Sequence, residues 1–160
     1  MPEFVLLPAT SPDITLFFYH EGDDVGRITS LAQFLMDEMV SLYGNTDRQV
    51  GEPVENDYFN DSYIILAKNQ NGYIVGLLGL RFLSIDNQPD HNAYIFLVGV
   101  DPMARNQGVG KDLMINALAF ARHFTVKRII LDVSENNTPA KRLYATLGGE
   151  TMVRTVSFPV

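Results

Sequence analysis

The chain has 160 residues, 46% of them hydrophobic and 19% charged, with no cysteine and a formal net charge of −7. That length and composition suit one folded domain, expected over residues 1–160, and exclude general disorder. The acidic balance makes the chain a poor binder of phosphate backbones, and the lack of cysteine rules out disulfides, thiolate nucleophiles and cysteine-held metals.

His20, His91 and His123 are scattered without metal-ligand spacing, so no metal is expected. No apolar run reaches the roughly 18 residues of a membrane span. The opening MPEFVLLPATSPD has no basic n-region. The expectation is a cytoplasmic chain with neither a membrane nor a nucleic-acid partner.

Residues 14–20 read as a strand, being β-branched and aromatic. Asp23 and Asp24 open a helical pattern carried by Val25, Ile28, Leu31, Ala32, Leu35, Met36, Met39 and Leu42, up to Gly44. Residues 45–61 are polar and read as a loop with one short helical turn. Strands follow over Ser62 to Lys68 and Tyr73 to Phe82, with Gln70-Asn71-Gly72 as hairpin punctuation. SIDNQPDH, residues 84–91, reads as a second turn before a third strand over Ala93 to Val100.

The rhythm then changes. Val109, Leu113, Ala117, Phe120, Ala121 and Phe124 share one helical face. RIILDV, residues 128–133, has the near-continuous apolar run of a central strand buried on both faces. Thr138-Pro139 starts a last helix, with the hydroxyl as cap, and Gly148 ends it. Strand, helix, strand, helix makes a parallel crossover joined to an antiparallel meander.

The informative stretch is YIFLVGVDPMARNQGVGK, residues 94–111. A buried strand ends at Val100, Asp101-Pro102 turns the chain, and Arg105 to Gly110 lead into a helix. A helix start exposes unpartnered N–H groups and partial positive charge. Glycines let that backbone approach an oxyanion closely. The turn reads either as a phosphate cradle or as a tight strand-to-helix connection. A Rossmann fingerprint fails because Leu113 stands where a third glycine is needed. A P-loop fails because Arg105 replaces the first glycine and Asp112 the magnesium-binding hydroxyl.

The pattern Arg-x-x-Gly-x-Gly after such a strand resembles the acyl-CoA site of the GNAT superfamily of N-acyltransferases. Residues 94–118 resemble its motif A. Residues 128–148 resemble its motif B through Asn137, Ala140, Leu143, Tyr144 and Gly148. The resemblance implies an α/β fold: a mixed sheet with an antiparallel N-terminal meander and a parallel centre, flanked by helices, with a V-shaped cleft for acetyl-CoA. It implies that the backbone N–H groups of Arg105, Asn106, Gln107, Gly108, Val109, Gly110 and Lys111 hold the pyrophosphate. Val98, Gly99 and Val100 would pair with the pantetheine arm where a bulge splays the strand, with Gly99 permitting the bulge. The Val98 N–H would polarise the thioester carbonyl. Asn137 would bond near the pantetheine, and Lys141 or Arg142 would reach the 3′-phosphate. Tyr144 takes the place of the general acid for the departing thiolate.

The sequence departs from the family pattern in three places. Tyr94 stands where one branch of the family has its glutamate base, and a phenol with an ordinary pKa near 10 is a poor base. His91, Asp90 or a water relay are the alternatives. Gly149 replaces a usual aromatic. Residues 150–158 read as one long final strand, or a short one with an abrupt join, whose edge a second subunit could complete.

The acceptor site implied by the resemblance involves the first helix and the loop after it. That loop holds Asp47, Glu52, Glu55, Asp57 and Asp61 against Arg48, with Asp37 and Glu38 on the helix. It reads either as a solvated acidic loop or as a funnel for a cationic amine, with Tyr43, Tyr58, Phe59 and Tyr63 as cation–π walls. The function expected is acetyl transfer from acetyl-CoA to a primary amine, on a small molecule, peptide or protein, in a direct ternary complex. The alternative is a module that binds acyl-CoA without chemistry.

Overall fold

The computed structural model describes residues 4–20, 25–43, 51–54, 56–85 and 88–151. Among them, five strands lie in chain order across one sheet: β1 (Thr15–Phe18), β2 (Tyr63–Lys68), β3 (Ile74–Ile85), β4 (Gln88–Val100) and β5 (Arg128–Leu131). The first four pair antiparallel, and β5 pairs parallel with β4. The helices are α1 (Val25–Tyr43), α2 (Val109–His123) and α3 (Thr138–Thr146). Helix α2 is the crossover between β4 and β5. The mixed sheet expected from the sequence is therefore present, and Asn56–Phe59 form the short helical turn of the acidic loop.

The two sheet faces are covered separately. Ile28, Leu31, Ala32 and Leu35 of α1 pack on Ile64, Leu66, Leu77 and Leu97. Val109, Leu113, Ala117 and Phe120 of α2 pack on Ile65, Ala67, Leu78, Leu80, Ala93 and Ile95. Each set alternates along its strand because successive strand side chains point to opposite faces.

Two polar residues interrupt the buried face of α2. Asp112 and Asn116 are 5% and 1% exposed. Asn116 accepts from Leu7 N–H at 2.6 Å and donates to Leu7 C=O at 3.1 Å. Asp112 accepts from the Thr10 N–H and hydroxyl, both at 2.8 Å. One turn apart on the helix, they satisfy the backbone of an N-terminal segment that pairs with no strand among the described residues.

Several expectations are corrected. The 84–91 turn is shorter: β3 runs to Ile85 and β4 starts at Gln88, so Asp90 and His91 lie in a strand. A main-chain ladder continues regardless of side-chain polarity, so a polar run can lie in a strand. The apolar run of β5 is only half-buried, and β5 is the edge among the described strands. An apolar run signals a preference for burial but does not supply the neighbours that provide it. The cap of α3 is Asn137, whose side-chain oxygen accepts from Ala140 N–H at 3.3 Å; Thr138 and Pro139 are already helical. The final strand expected over residues 150–158, and a second subunit on it, lie outside the described residues beyond Thr151.

Candidate functional site

The turn after β4 is held at several points. Asp101 N–H donates to Val75 C=O at 2.7 Å, and the Asp101 carboxylate caps the one-turn helix Pro102–Ala104. Arg105 Nε donates to Val100 C=O at 3.1 Å, and its guanidinium pairs with Glu38 of α1. Asn106 and Gly108 both take left-handed backbone, at φ 65° and 78°. Glycine adopts that region freely, and asparagine tolerates it better than most residues. Gly108 is the cap of α2 and brings no side-chain hydrogen bond to it. The first backbone bond there is Asp112 N–H to Gly108 C=O at 2.9 Å. The N–H groups of Val109, Gly110 and Lys111 precede it, so they lack partners within the helix. Asp112, the acid of this first turn, is committed to Thr10.

Strand β4 carries a bulge, but not at Gly99. The register passes from Gly79↔Leu97 to Leu80↔Ile95, which leaves Phe96 as the extra residue. One extra residue reverses the alternation. Ala93 and Ile95 face α2, Leu97 faces α1, and Val98 and Val100 face α2 again. Gly99 is required for another reason. A Cβ there would come within 2.7 Å of Leu35 Cδ1. The parallel ladder with β5 ends at Ile95↔Leu131, so Phe96 to Val100 have no β5 partner. A cavity of about 590 Å³ opens elsewhere, beside Arg27, Tyr73 and Asp101; of the residues expected to hold the acyl carrier, only Gln107 lines it.

Tyr144 lies on α3, packed against the α2-side core. Burial raises its phenol above the ordinary value. Its helix ends in a paired glycine stop. Gly148, at φ 90°, donates to Ala145 C=O at 3.1 Å, and Gly149 to Tyr144 C=O at 2.8 Å. This is the Schellman arrangement. A Cβ on Gly149 would meet the Tyr144 carbonyl oxygen at 2.9 Å, so the glycine that departs from the family pattern closes the helix on the backbone of Tyr144. Lys141 is exposed, its Nζ 3.4 Å from Glu135 C=O.

A second cluster lies on the α1 face. Tyr58, Phe59 and Phe96 pack ring to ring. Arg81, directly opposite Tyr94 in the β3–β4 pairing, stacks 4.0 Å from the Phe96 centroid and donates to Tyr58 C=O. The Tyr94 hydroxyl donates to Asp132 Oδ2 at 2.7 Å. Burial, that hydrogen bond, and the charge of Asp132 push the Tyr94 phenol up to about 12, with Arg81 pulling the other way. Tyr63 is not part of this wall; it packs on Phe82 and Phe120 on the opposite face, as its place two residues before Ile65 dictates. Asp37 and Glu38 are engaged internally, Asp37 with Gln33 and Gly51 N–H, Glu38 with Arg105. Asp47, Arg48 and Glu55 lie outside the described residues. Arg81 and Asp132 were not singled out from the sequence. The only signal was indirect: a tyrosine where a carboxylate was expected leaves a carboxylate to be found nearby.

The profile of the acetyltransferase (GNAT) family matches residues 28–148, and the chain belongs to that family. Curated relatives include a mycothiol acetyltransferase of Thermomonospora curvata, 36% identical over 91 residues, covering 57% of this chain and 29% of the relative. One from Saccharomonospora viridis is 30% identical over 112 residues, covering 67% and 36%. The chain thus spans about a third of the length of these relatives. Among solved structures, a protein from Bacillus halodurans has a TM-score of 0.75 at 19% identity, covering 91% of this chain and 98% of that one. An aminoglycoside acetyltransferase from an uncultured soil metagenomic sample, solved with sisomicin, has a TM-score of 0.65 at 18% identity, covering 92% and 97%. These structures share the fold. Among the described residues no helix is long and apolar enough to cross a membrane.

Proposed function

We propose that residues 1–160 form one cytoplasmic N-acetyltransferase domain that moves acetyl from acetyl-CoA to a primary amine by direct attack in a ternary complex. The observation that carries this reading is the end of the β4–β5 ladder at Ile95, which leaves Phe96 to Val100 without a β5 partner ahead of an α2 start that no side chain caps. Tyr144 approaches from one side of the sheet and Tyr94 lies on the other. The relatives' names, mycothiol and aminoglycoside acetyltransferases, favour a small-molecule amine.

In this reading the N–H groups from Arg105 to Lys111 meet the pyrophosphate, and Lys141 the 3′-phosphate. Val98, Gly99 and Val100, paired with β3 but without a β5 partner, meet the pantetheine arm on that side as a strand would. The Asn137 side-chain oxygen is used by its helix, which leaves its NH₂ for the arm. Val98 N–H polarises the thioester carbonyl. The amine nitrogen attacks that carbon, the C–N bond forms, and the C–S bond breaks with its electron pair on sulfur. Tyr144 protonates the sulfur; an acceptor that enters as ammonium loses two protons, one replacing that on Tyr144 and one passing to water.

A thiol-release assay with acetyl-CoA and spermidine, kanamycin, lysine and a short peptide as acceptors tests the reading. Turnover with at least one amine is expected, and Tyr144→Phe should lower kcat about 10- to 1,000-fold with little change in acetyl-CoA KM, near the range of general acid catalysis. Tight acetyl-CoA binding with no turnover would identify a binding module instead.

A further inference from the structure

The residue at the family's base position is a phenol, and the structure shows where a carboxylate lies relative to it. Tyr94 pairs with Ile130 of β5, yet its hydroxyl reaches Asp132, two residues further on. The side chain therefore leans along the strand toward Val100. Asp132 is the first residue beyond the last parallel pair, Ile95↔Leu131, and stands level with the Phe96 bulge. At about 3.3 Å per residue, that level is about 7 Å short of Val98 along the strand. The hydroxyl thus sits at the end of the β4–β5 ladder, on the α1 face near Tyr58 and Arg81. Asp132 itself is exposed to solvent.

We propose that Tyr94 and Asp132 form a proton relay for the acceptor amine: the Tyr94 oxygen takes a proton from the bound ammonium as Tyr94 passes its own proton to the Asp132 carboxylate. This rests on the transferase reading above. The balance is simple: nitrogen loses one proton and regains its lone pair, Tyr94 ends as it began, and Asp132 gains one proton that it returns to water. Attack on the thioester then proceeds as described. Tyr94 touches the amine, and Asp132 acts through it. A phenol pushed up to about 12 does not serve as a phenolate base at neutral pH, so the proton must travel on to the carboxylate. The groups acting on Tyr94 are Asp132 at the end of β5, Tyr58 in the helical turn and Arg81 on β3.

The experiment measures kcat/KM for the best amine of the panel between pH 6 and pH 10, in the parent chain, Asp132→Asn and Tyr94→Phe. Loss of the relay should cost about 100-fold at pH 7, within the usual range for acid–base catalysis. The loss should shrink as pH approaches the amine's own pKa, because water then supplies the uncharged amine. Acetyl-CoA KM should stay unchanged. In the ultraviolet tyrosinate titration, Asp132→Asn should bring one tyrosine down from near pH 12, though not to the ordinary value, because burial still holds Tyr94 up when the Asp132 charge is removed. An equal loss at every pH would assign Asp132 a structural role only and overturn the relay, as would an unchanged profile. Acetyl-CoA binding without turnover in the parent chain would overturn the transferase reading, and the relay with it.

Discussion

The ring of Phe96 occupies the space above Gly79: a Cβ on that glycine would come within 2.7 Å of Phe96 Cε2. The two strands that meet there are β3 and β4, and Phe96 is the residue the bulge adds. The missing side chain at 79 therefore lets the bulge seat its ring under Arg81 and against Tyr58. Gly79→Ala should displace the ring. Overpacking of this kind costs about 1–3 kcal/mol, measurable by urea denaturation. If the ring is part of the acceptor site, KM for the amine should rise with acetyl-CoA KM unchanged. Full stability in the variant would show that the ring moves aside freely.

Gly110 offers a cleaner test of the acyl-carrier site than Gly108. At Gly108 the positive φ strains any replacement, and an added side chain points at Thr10 and Asp112. At Gly110 an added Cβ meets only Val100 Cγ2 at 3.7 Å and Leu143 Cδ2 at 3.9 Å, ordinary contacts between β4 and α3. Gly110→Asp should fold, since an acid in the first turn suits the helix dipole. It should weaken acetyl-CoA binding tenfold or more by calorimetry, which corresponds to about 1.4 kcal/mol. Parent-like affinity in the folded variant would remove the α2 start from the site.

Asn116→Ala should destabilise the fold without touching chemistry. It removes both partners of the Leu7 backbone. Leu7 is 47% exposed and both bonds are only part-buried, so the loss falls at the low end of the penalty for unpaired groups, about 1 kcal/mol. Urea denaturation should show the loss, and amide exchange at Leu7 should quicken. Unchanged exchange at Leu7 would mean that the segment is held by its apolar contacts alone.

What was legible in the sequence was local. The start of α2 and the stop at Gly148 each depend on a few adjacent residues, and both are found where expected. The resemblance implies a bulge in β4 that Gly99 would permit, but the bulge's position depends on pairing between β3 and β4, and Gly99 is needed for Leu35 instead. The Tyr94–Asp132 contact spans 38 residues and depends on the parallel register, which no sequence pattern encodes. In the sequence Asp112 argues only against a P-loop. Its role emerges when Thr10, far off in the chain, is seen to lie against it.

The last prediction concerns the charge of the acceptor. Asp37 and Glu38 are engaged within the fold, and Arg81 adds a fixed cation on the α1 face. An attraction for cationic amines would draw on the charges of the loop acids, among them Glu52, Glu55 and Asp57. Such an attraction is largely solvent-screened and should fade as the Debye length drops from about 30 Å at 0.01 M to about 10 Å at 0.1 M. Replacing those three residues by their amides should lower kcat/KM for spermidine more at low salt than at high salt. The effect on kcat should be smaller, because steering acts on encounter more than on chemistry. Lysine, whose carboxylate offsets one of its two ammonium charges, should lose less. An equal loss for both acceptors at both salt levels would point to direct contacts, and no loss would make the loop a solvated surface, leaving Arg81 and the rings of Tyr58, Phe59 and Phe96 to select the acceptor.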